Sequence, residues 1–101
     1  MPYLLQVDFP YSGPFGTEMV QAMQALAADI AQEEDLLWKI WTENEKMQQA
    51  GGVYLFANES RAQAYLEKHQ ARLQAAGITK IRAHIFAVNT ELSLINRAPI
   101  T

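Results

Sequence analysis

The chain has 101 residues and a formal charge of −3. That is room for one domain and not two, and it excludes the clustered basic face that nucleic acid requires. The chain has no cysteine, which removes disulfides, thiolate nucleophiles and thiolate metal ligands together. Half the residues are hydrophobic and 19% are charged, as in soluble globular proteins. No apolar run approaches the ~20 residues that cross a bilayer, and MPYLLQVDFPY lacks the basic region of a signal peptide; a cytoplasmic location and no membrane partner are expected.

Tyr3 to Phe9 reads as a strand, with Leu5, Val7 and Phe9 on one side and Leu4, Gln6 and Asp8 on the other. Pro10, Gly13, Pro14 and Gly16 break the pattern. SGPFG resembles a phosphate loop only in glycine content, since it lacks the Lys-Ser/Thr ending and the glycine spacing. Thr17 is the candidate N-cap of a helix over 17–32, whose Met19, Met23, Leu26 and Ile30 recur at helical spacing, with Val20 and Ala27 widening the stripe. The acidic turn Gln32-Glu33-Glu34-Asp35 follows as solvated surface.

The central stretch is LLWKIWTENEKMQQAGGVYLFA, 36–57. Two apolar runs, Leu36 to Thr42 and Gly52 to Ala57, flank a polar segment that carries the Gly-Gly pair. Their aromatic and β-branched content predicts a strand–loop–strand hairpin. Asn58 or Ser60 caps a second helix running to about Ala76, with Ala62, Tyr65, Leu66, His69, Leu73 and Ala76 inward and Gly77 ending it. Ile78 to Val88 is the last strand, with Arg82, His84, Phe86 and Val88 opposite Ile81, Ala83, Ile85 and Ala87. Leu92, Leu94 and Ile95 give the tail enough apolar content to dock as a short helical turn.

The order βαββαβ predicts an α+β, ferredoxin-like domain over 1–101, a four-stranded antiparallel sheet with both helices on one face. The other face exposes Leu4, one tryptophan, one aromatic of the third strand and Phe86. A patch of that kind marks an interface, and a domain this small gains from one; a homodimer through the sheet face is expected.

Trp38 and Trp41 are three apart, so a strand sends them to opposite faces. Trp38 and Ile40 are assigned to the helix side because Lys39, Trp41 and Glu43 form the more polar set; a one-residue shift of register exchanges the two. Tyr65 and His69 stack at i, i+4 on an otherwise apolar helix face, where each needs a polar partner. His69 is either a satisfied core histidine or a titratable group in a semi-apolar cavity shaped by Phe9, Trp38, Tyr54 and Phe56, suited to a planar aromatic ligand. Arg82 and His84 belong to the opposite face, near Gln6 and Asp8, and no His pair is spaced for a metal centre.

LLWKIWTENEK, AGGVYLF and AYLEKHQARL followed closely by Gly, with LLQVDFPYSGPFG at the start and LSLIN near the end, resemble the small YdhR-type monooxygenases. The similarity extends over essentially the whole chain. The resemblance implies a place in the dimeric α/β-barrel superfamily of antibiotic-biosynthesis monooxygenases, where the sheets of two protomers pair into a barrel. Relatives there oxygenate polycyclic aromatics such as anthrones without metal or flavin, the deprotonated substrate itself reducing dioxygen. Haem-degrading relatives use an Asn, Trp and His set; this chain departs from it, offering Gln6 or Asp8 in the early strand and no Trp in the second helix.

The expectation is therefore a cofactor-independent monooxygenase of a small hydrophobic aromatic or quinol-like compound, without a metal. His69 is the candidate proton acceptor, Tyr65 orients a substrate oxygen, and Trp38, Trp41, Tyr54, Phe56 and Phe9 bind the substrate. The alternative is a non-catalytic homodimer that binds a small apolar ligand; a further one is a different enzyme, such as an isomerase, on the same scaffold.

Overall fold

The computed structural model of the protein describes residues 1–100. Alternation sets the first strand, β1 (Tyr3–Pro10), so that Leu5, Val7 and Phe9 are buried and Gln6 is exposed. Helix α1 (Gly16–Ile30) leads to β2 (Leu36–Asn44) and β3 (Gln49–Phe56), then α2 (Glu59–Ala75), β4 (Arg82–Ala87) and a short α3 (Thr90–Ile95). The sheet is antiparallel throughout, in the order β2-β3-β1-β4. This is the ferredoxin-like arrangement, with α1 and α2 on one face. Among the described residues, no helix is long and apolar enough to cross a membrane.

The core lies between that face and α2. Leu5, Val7, Tyr54 and Phe56 of the sheet meet Ala62, Tyr65 and Leu73 of the helix. Asn58 caps α2, its side chain accepting from the Arg61 N–H at 2.9 Å, so the Asn58 reading of the cap holds and Ser60 is not needed for it. Gly77, at φ +87°, ends the helix: its N–H reaches the Gln74 carbonyl and the Ile78 N–H reaches that of Leu73. That double closure needs a left-handed residue, which glycine adopts without a Cβ penalty.

Several boundaries differ from the sequence expectation, each for a local reason. Thr17 is not the cap of α1. The helix starts one residue earlier, and Glu43 of β2 accepts from the Gly16 N–H at 2.8 Å; a carboxylate from a neighbouring strand thus satisfies the helix N-terminus. The Gly-Gly pair lies inside β3 and not in the hairpin loop, which is confined to Glu45–Gln48, with Met47 N–H on the Asn44 side chain. The last strand spans Arg82–Ala87 rather than 78–88. The acidic turn is exposed, as expected, except at the half-buried Glu33, and carries ion pairs: Lys68 with Glu33 at 2.6 Å, and Arg61 with Glu34 and Asp35 at 2.9 and 3.4 Å.

The tryptophan faces are the reverse of the expectation. Leu36 pairs with Phe56, but Trp38 pairs with Leu55, so two residues of β2 oppose one step of β3. This bulge at Leu37 turns Trp38 and Ile40 to the outer face and brings Lys39, Trp41 and Glu43 to the helix side. Trp38 Nε1–H donates to the Pro99 carbonyl at 2.8 Å, and the C-terminal segment lies over Trp38, Leu4 and Leu55. The tail does dock, and α3 is its helical turn. Leu4 and Phe86 are on the outer face as expected, and the tryptophan that joins them is Trp38 and not Trp41; no aromatic of β3 does, since Tyr54 and Phe56, two apart, are both in the core. On the same face Arg82 makes two hydrogen bonds to Asp8, at 3.0 and 3.3 Å.

Candidate active site

The two helices cover the sheet unequally. α2 lies close on β1, β3 and β4, while α1 stands off β2 and buries only Met19 and Ile30. The gap is a cavity of about 60 Å³ lined by Phe9, Met19, Met23, Lys39, Trp41 and Tyr54, with His69 and Leu73 from α2. Outside it, a groove of about 260 Å³ runs between α1 and β2, sharing Met19, Met23 and Trp41 with the cavity. The floor is low because β3 presents Ala50 and Gly52 toward the helices. A Cβ on Gly52 would stand 2.8 Å from Lys39 Cε and 3.2 Å from the Tyr54 ring, so the glycine makes the room in which the lysine lies.

Lys39 extends its stem along this floor and sets its Nζ 3.5 Å from the centroid of the Trp41 ring and 4.6 Å from that of Tyr54. Burial pushes its amine down to about 7, and the Arg72 guanidinium adds to the shift. His69 is 4% exposed. Arg72 Nη2, which can only donate, lies 2.9 Å from His69 Nδ1; that assigns the imidazole proton to Nε2, which donates to the Tyr54 hydroxyl at 3.2 Å. Burial first, then the charges of Lys39 and Arg72, hold His69 down to about 4, so it is neutral at pH 7. Burial likewise raises the Tyr54 phenol, and the neighbouring Tyr65 phenol adds to it. Arg72 also donates to Tyr65 Oη at 3.4 Å and to Asp29 of α1 at 3.1 Å.

The residues singled out from sequence separate into three groups. Phe9, Trp41, Tyr54 and His69 line the cavity. Tyr65 and Phe56 form its backing: Tyr65 stacks on His69 with centroids 5.1 Å apart and tilts against Tyr54 and Phe56 at 5.0 and 5.5 Å. Trp38 does not join them, because the bulge sends it to the outer face. Lys39 and Arg72 were missed. Arg72 stands at i+3 from His69 and i+7 from Tyr65, a helical spacing readable in the sequence. Lys39 reads in the sequence as part of a polar, outward strand face; the bulge at Leu37 turns it inward, where its apolar stem packs on the floor.

An antiparallel sheet under two helices, with a basic side chain in an aromatic cavity between them, defines a small α+β protein with an enclosed pocket. Residues 4–99 match the family described as "Putative mono-oxygenase ydhR", and the chain belongs to that family. Among solved structures it is similar to one described as a "putative antibiotic biosynthesis monooxygenase" from Deinococcus radiodurans, at 12% identity and a TM-score of 0.58, over 86% of this chain and 92% of that one. It is also similar to a structural-genomics protein, YJCS, at 16% identity and a TM-score of 0.61, over 87% and 98%. At these identities the likeness is one of fold. No curated protein matches the chain.

Proposed function

We propose that the protein is a monooxygenase that oxidises a small hydrophobic aromatic or quinol-like compound without a bound cofactor. The observation that carries this reading is Lys39, an amine with its pKa near 7 inside an aromatic-lined cavity, in a chain of a mono-oxygenase family. A proton acceptor works best when its pKa lies near the operating pH. Lys39 takes that role in place of His69, whose Nδ1 lone pair is occupied by Arg72 and whose Nε2–H is given to Tyr54.

Trp41, Met19 and Met23 hold the ring in the groove, and Phe9 and Tyr54 line the inner cavity that its reacting end enters. Tyr54 Oη accepts from His69 and lies against the Tyr65 phenol, so it orients the imidazole and leaves the substrate oxygen to Lys39. Lys39 removes a proton from the activated ring carbon. The electron-rich anion passes one electron to dioxygen, and the radical and superoxide combine into a C–O bond. The ammonium of Lys39 returns its proton to the peroxide, and loss of water leaves a carbonyl. A ring CH₂ has become C=O, with one oxygen atom retained and the other released as water; the substrate supplies every electron. The same reading includes a homodimer closed through the outer sheet face, supported by the exposure there of Ile40 (54%) and Phe86 (48%).

The test is oxygen uptake by chelator-treated protein, free of haem and flavin absorbance, with a panel of anthrones and reduced quinones. Uptake above the spontaneous rate, with an oxygenated product and a rate that climbs through about pH 7 as Lys39 loses its proton, is the expected result. Retention of a ring compound with no product from any of the panel would favour the non-catalytic binding protein.

A further inference from the structure

We propose that the cavity takes an aromatic ligand carrying a negative charge on oxygen, a carboxylate or an ionised phenol or enol, with that oxygen seated at Lys39. This deepens the reading of the cavity as the substrate site by naming the class of compound it selects: the proton that Lys39 accepts leaves the charge on this oxygen, and the resulting ammonium holds it.

The argument is a count of donors against acceptors. Lys39 Nζ brings three N–H donors, and among the described residues no carboxylate lies within 4 Å of it. The charged and titratable groups around it are accounted for element by element. On β2, Glu43 is engaged with the Gly16 N–H. From β3 comes Tyr54, whose oxygen accepts from His69. α2 contributes His69, Tyr65 and Arg72, which together supply a positive charge and more donors. The one carboxylate that α1 turns toward the cluster, Asp29, is held by Arg72. β1 offers only Leu5, Val7 and Phe9 on that face, and the loop before α1 adds Tyr11. Arg72 Nε is a further donor, buried and without a partner. At Lys39 Nζ itself donors exceed acceptors, and no carboxylate is paired with it.

Aromatic faces lessen the cost of the half-buried Lys39 ammonium but supply no counter-ion, and a charge drawn partly out of water gains from an anion beside it. A ligand anion supplies what the protein lacks. The rest of the pocket fixes the ring. A cavity of about 60 Å³ is too small for one, since a ~150 Å³ cavity is the size known to take benzene. The ring therefore lies in the adjoining groove of about 260 Å³ against Trp41, Met19 and Met23, with the charged oxygen reaching inward to Lys39.

Calorimetric titration with 2-naphthoate and its neutral isostere 2-naphthamide tests this. The wild type is expected to bind the naphthoate at least tenfold more tightly at pH 7. At pH 8, binding should take up close to one proton, read from titrations in two buffers of different ionisation enthalpy, because the anion restores the ammonium of Lys39. Lys39→Arg should keep the preference. Lys39→Met, confirmed as folded by its melting transition, should bind both probes alike. Equal affinity for the two probes in the wild type, an unchanged preference in Lys39→Met, or no binding of either would each overturn the proposal. Tight naphthoate binding without oxygen uptake on the anthrone and quinol panel would instead defeat the oxygenase reading and leave this one standing.

Discussion

The two helices share one face of the sheet but do different work. α2 buries Ala62, Tyr65, His69 and Leu73 against three strands, has a side-chain cap and ends on a glycine closure. α1 buries only Met19 and Ile30, has no side-chain cap of its own and leaves Val20 58% exposed. Its C-terminal end is tied to α2 through Asp29–Arg72, and the turn beyond it by Glu33–Lys68. Its N-terminal half lines the cavity, anchored by Met19 in the core and by Glu43 on the Gly16 N–H. One helix completes the core; the other is the wall of a pocket. The lesson is that an amphipathic stripe of similar spacing can serve either end, and what separates them is how closely the backbone approaches the sheet.

The sharpest way to break this contrast is truncation in each helix. Tyr65→Ala should cost about 3–5 kcal/mol, as for a large buried aromatic packed away from the cavity. Met23→Ala, on the pocket wall, should cost well below that, because the space it leaves is continuous with the cavity and groove already present. Urea unfolding of both variants measures the difference; equal losses would mean that α1 is as much core as α2.

Lys39→Met should lower oxygenase turnover by on the order of a hundredfold while leaving the fold as stable as before or more so, since it removes a half-buried charge without a carboxylate partner. The pH dependence separates this from simple damage. The unfolded chain keeps the lysine at its ordinary 10.5, whereas the folded chain holds it near 7. Between those values the unfolded state binds the extra proton, so stability rises with pH across that window and the penalty is complete below pH 7. In Lys39→Met that slope should disappear. Thermal unfolding from pH 6 to 10 reads it directly, and an unchanged slope would remove Lys39 as its source.

Gly52→Ala is subtler. Its new Cβ meets Lys39 Cε, the flexible part of a side chain, so the lysine shifts and the strand survives. Turnover should drop about tenfold, equivalent to ~1.4 kcal/mol, with a smaller change in stability. The smallest effect belongs to Asp29→Asn. The Asp29 side chain is 59% exposed, and an exposed pair contributes at most about 1 kcal/mol; unfolding should change little. If it falls by much more, the tie between α1 and α2 is stronger than its exposure implies.

Much of this protein was legible in its residues. The alternation of Leu5, Val7 and Phe9, the 3.6-residue stripe from Ala62 to Leu73, and Gly77 at the helix end each act within a few residues of chain, so periodicity reports them. From them follow the element order, the four-stranded sheet and an inward-facing Tyr65–His69 pair. Three things depended on contacts remote in sequence. The bulge at Leu37 is a matter of how β2 pairs with β3, and it decided which tryptophan enters the pocket. The start of α1 depended on a carboxylate 27 residues away. The state of the candidate site depended on Lys39 and His69 lining one cavity, with Arg72 hydrogen-bonded to His69 from behind. Local propensity fixes which way a side chain points along its own element, but a pKa is set by what every other element brings within a few ångströms, and only the folded chain decides that.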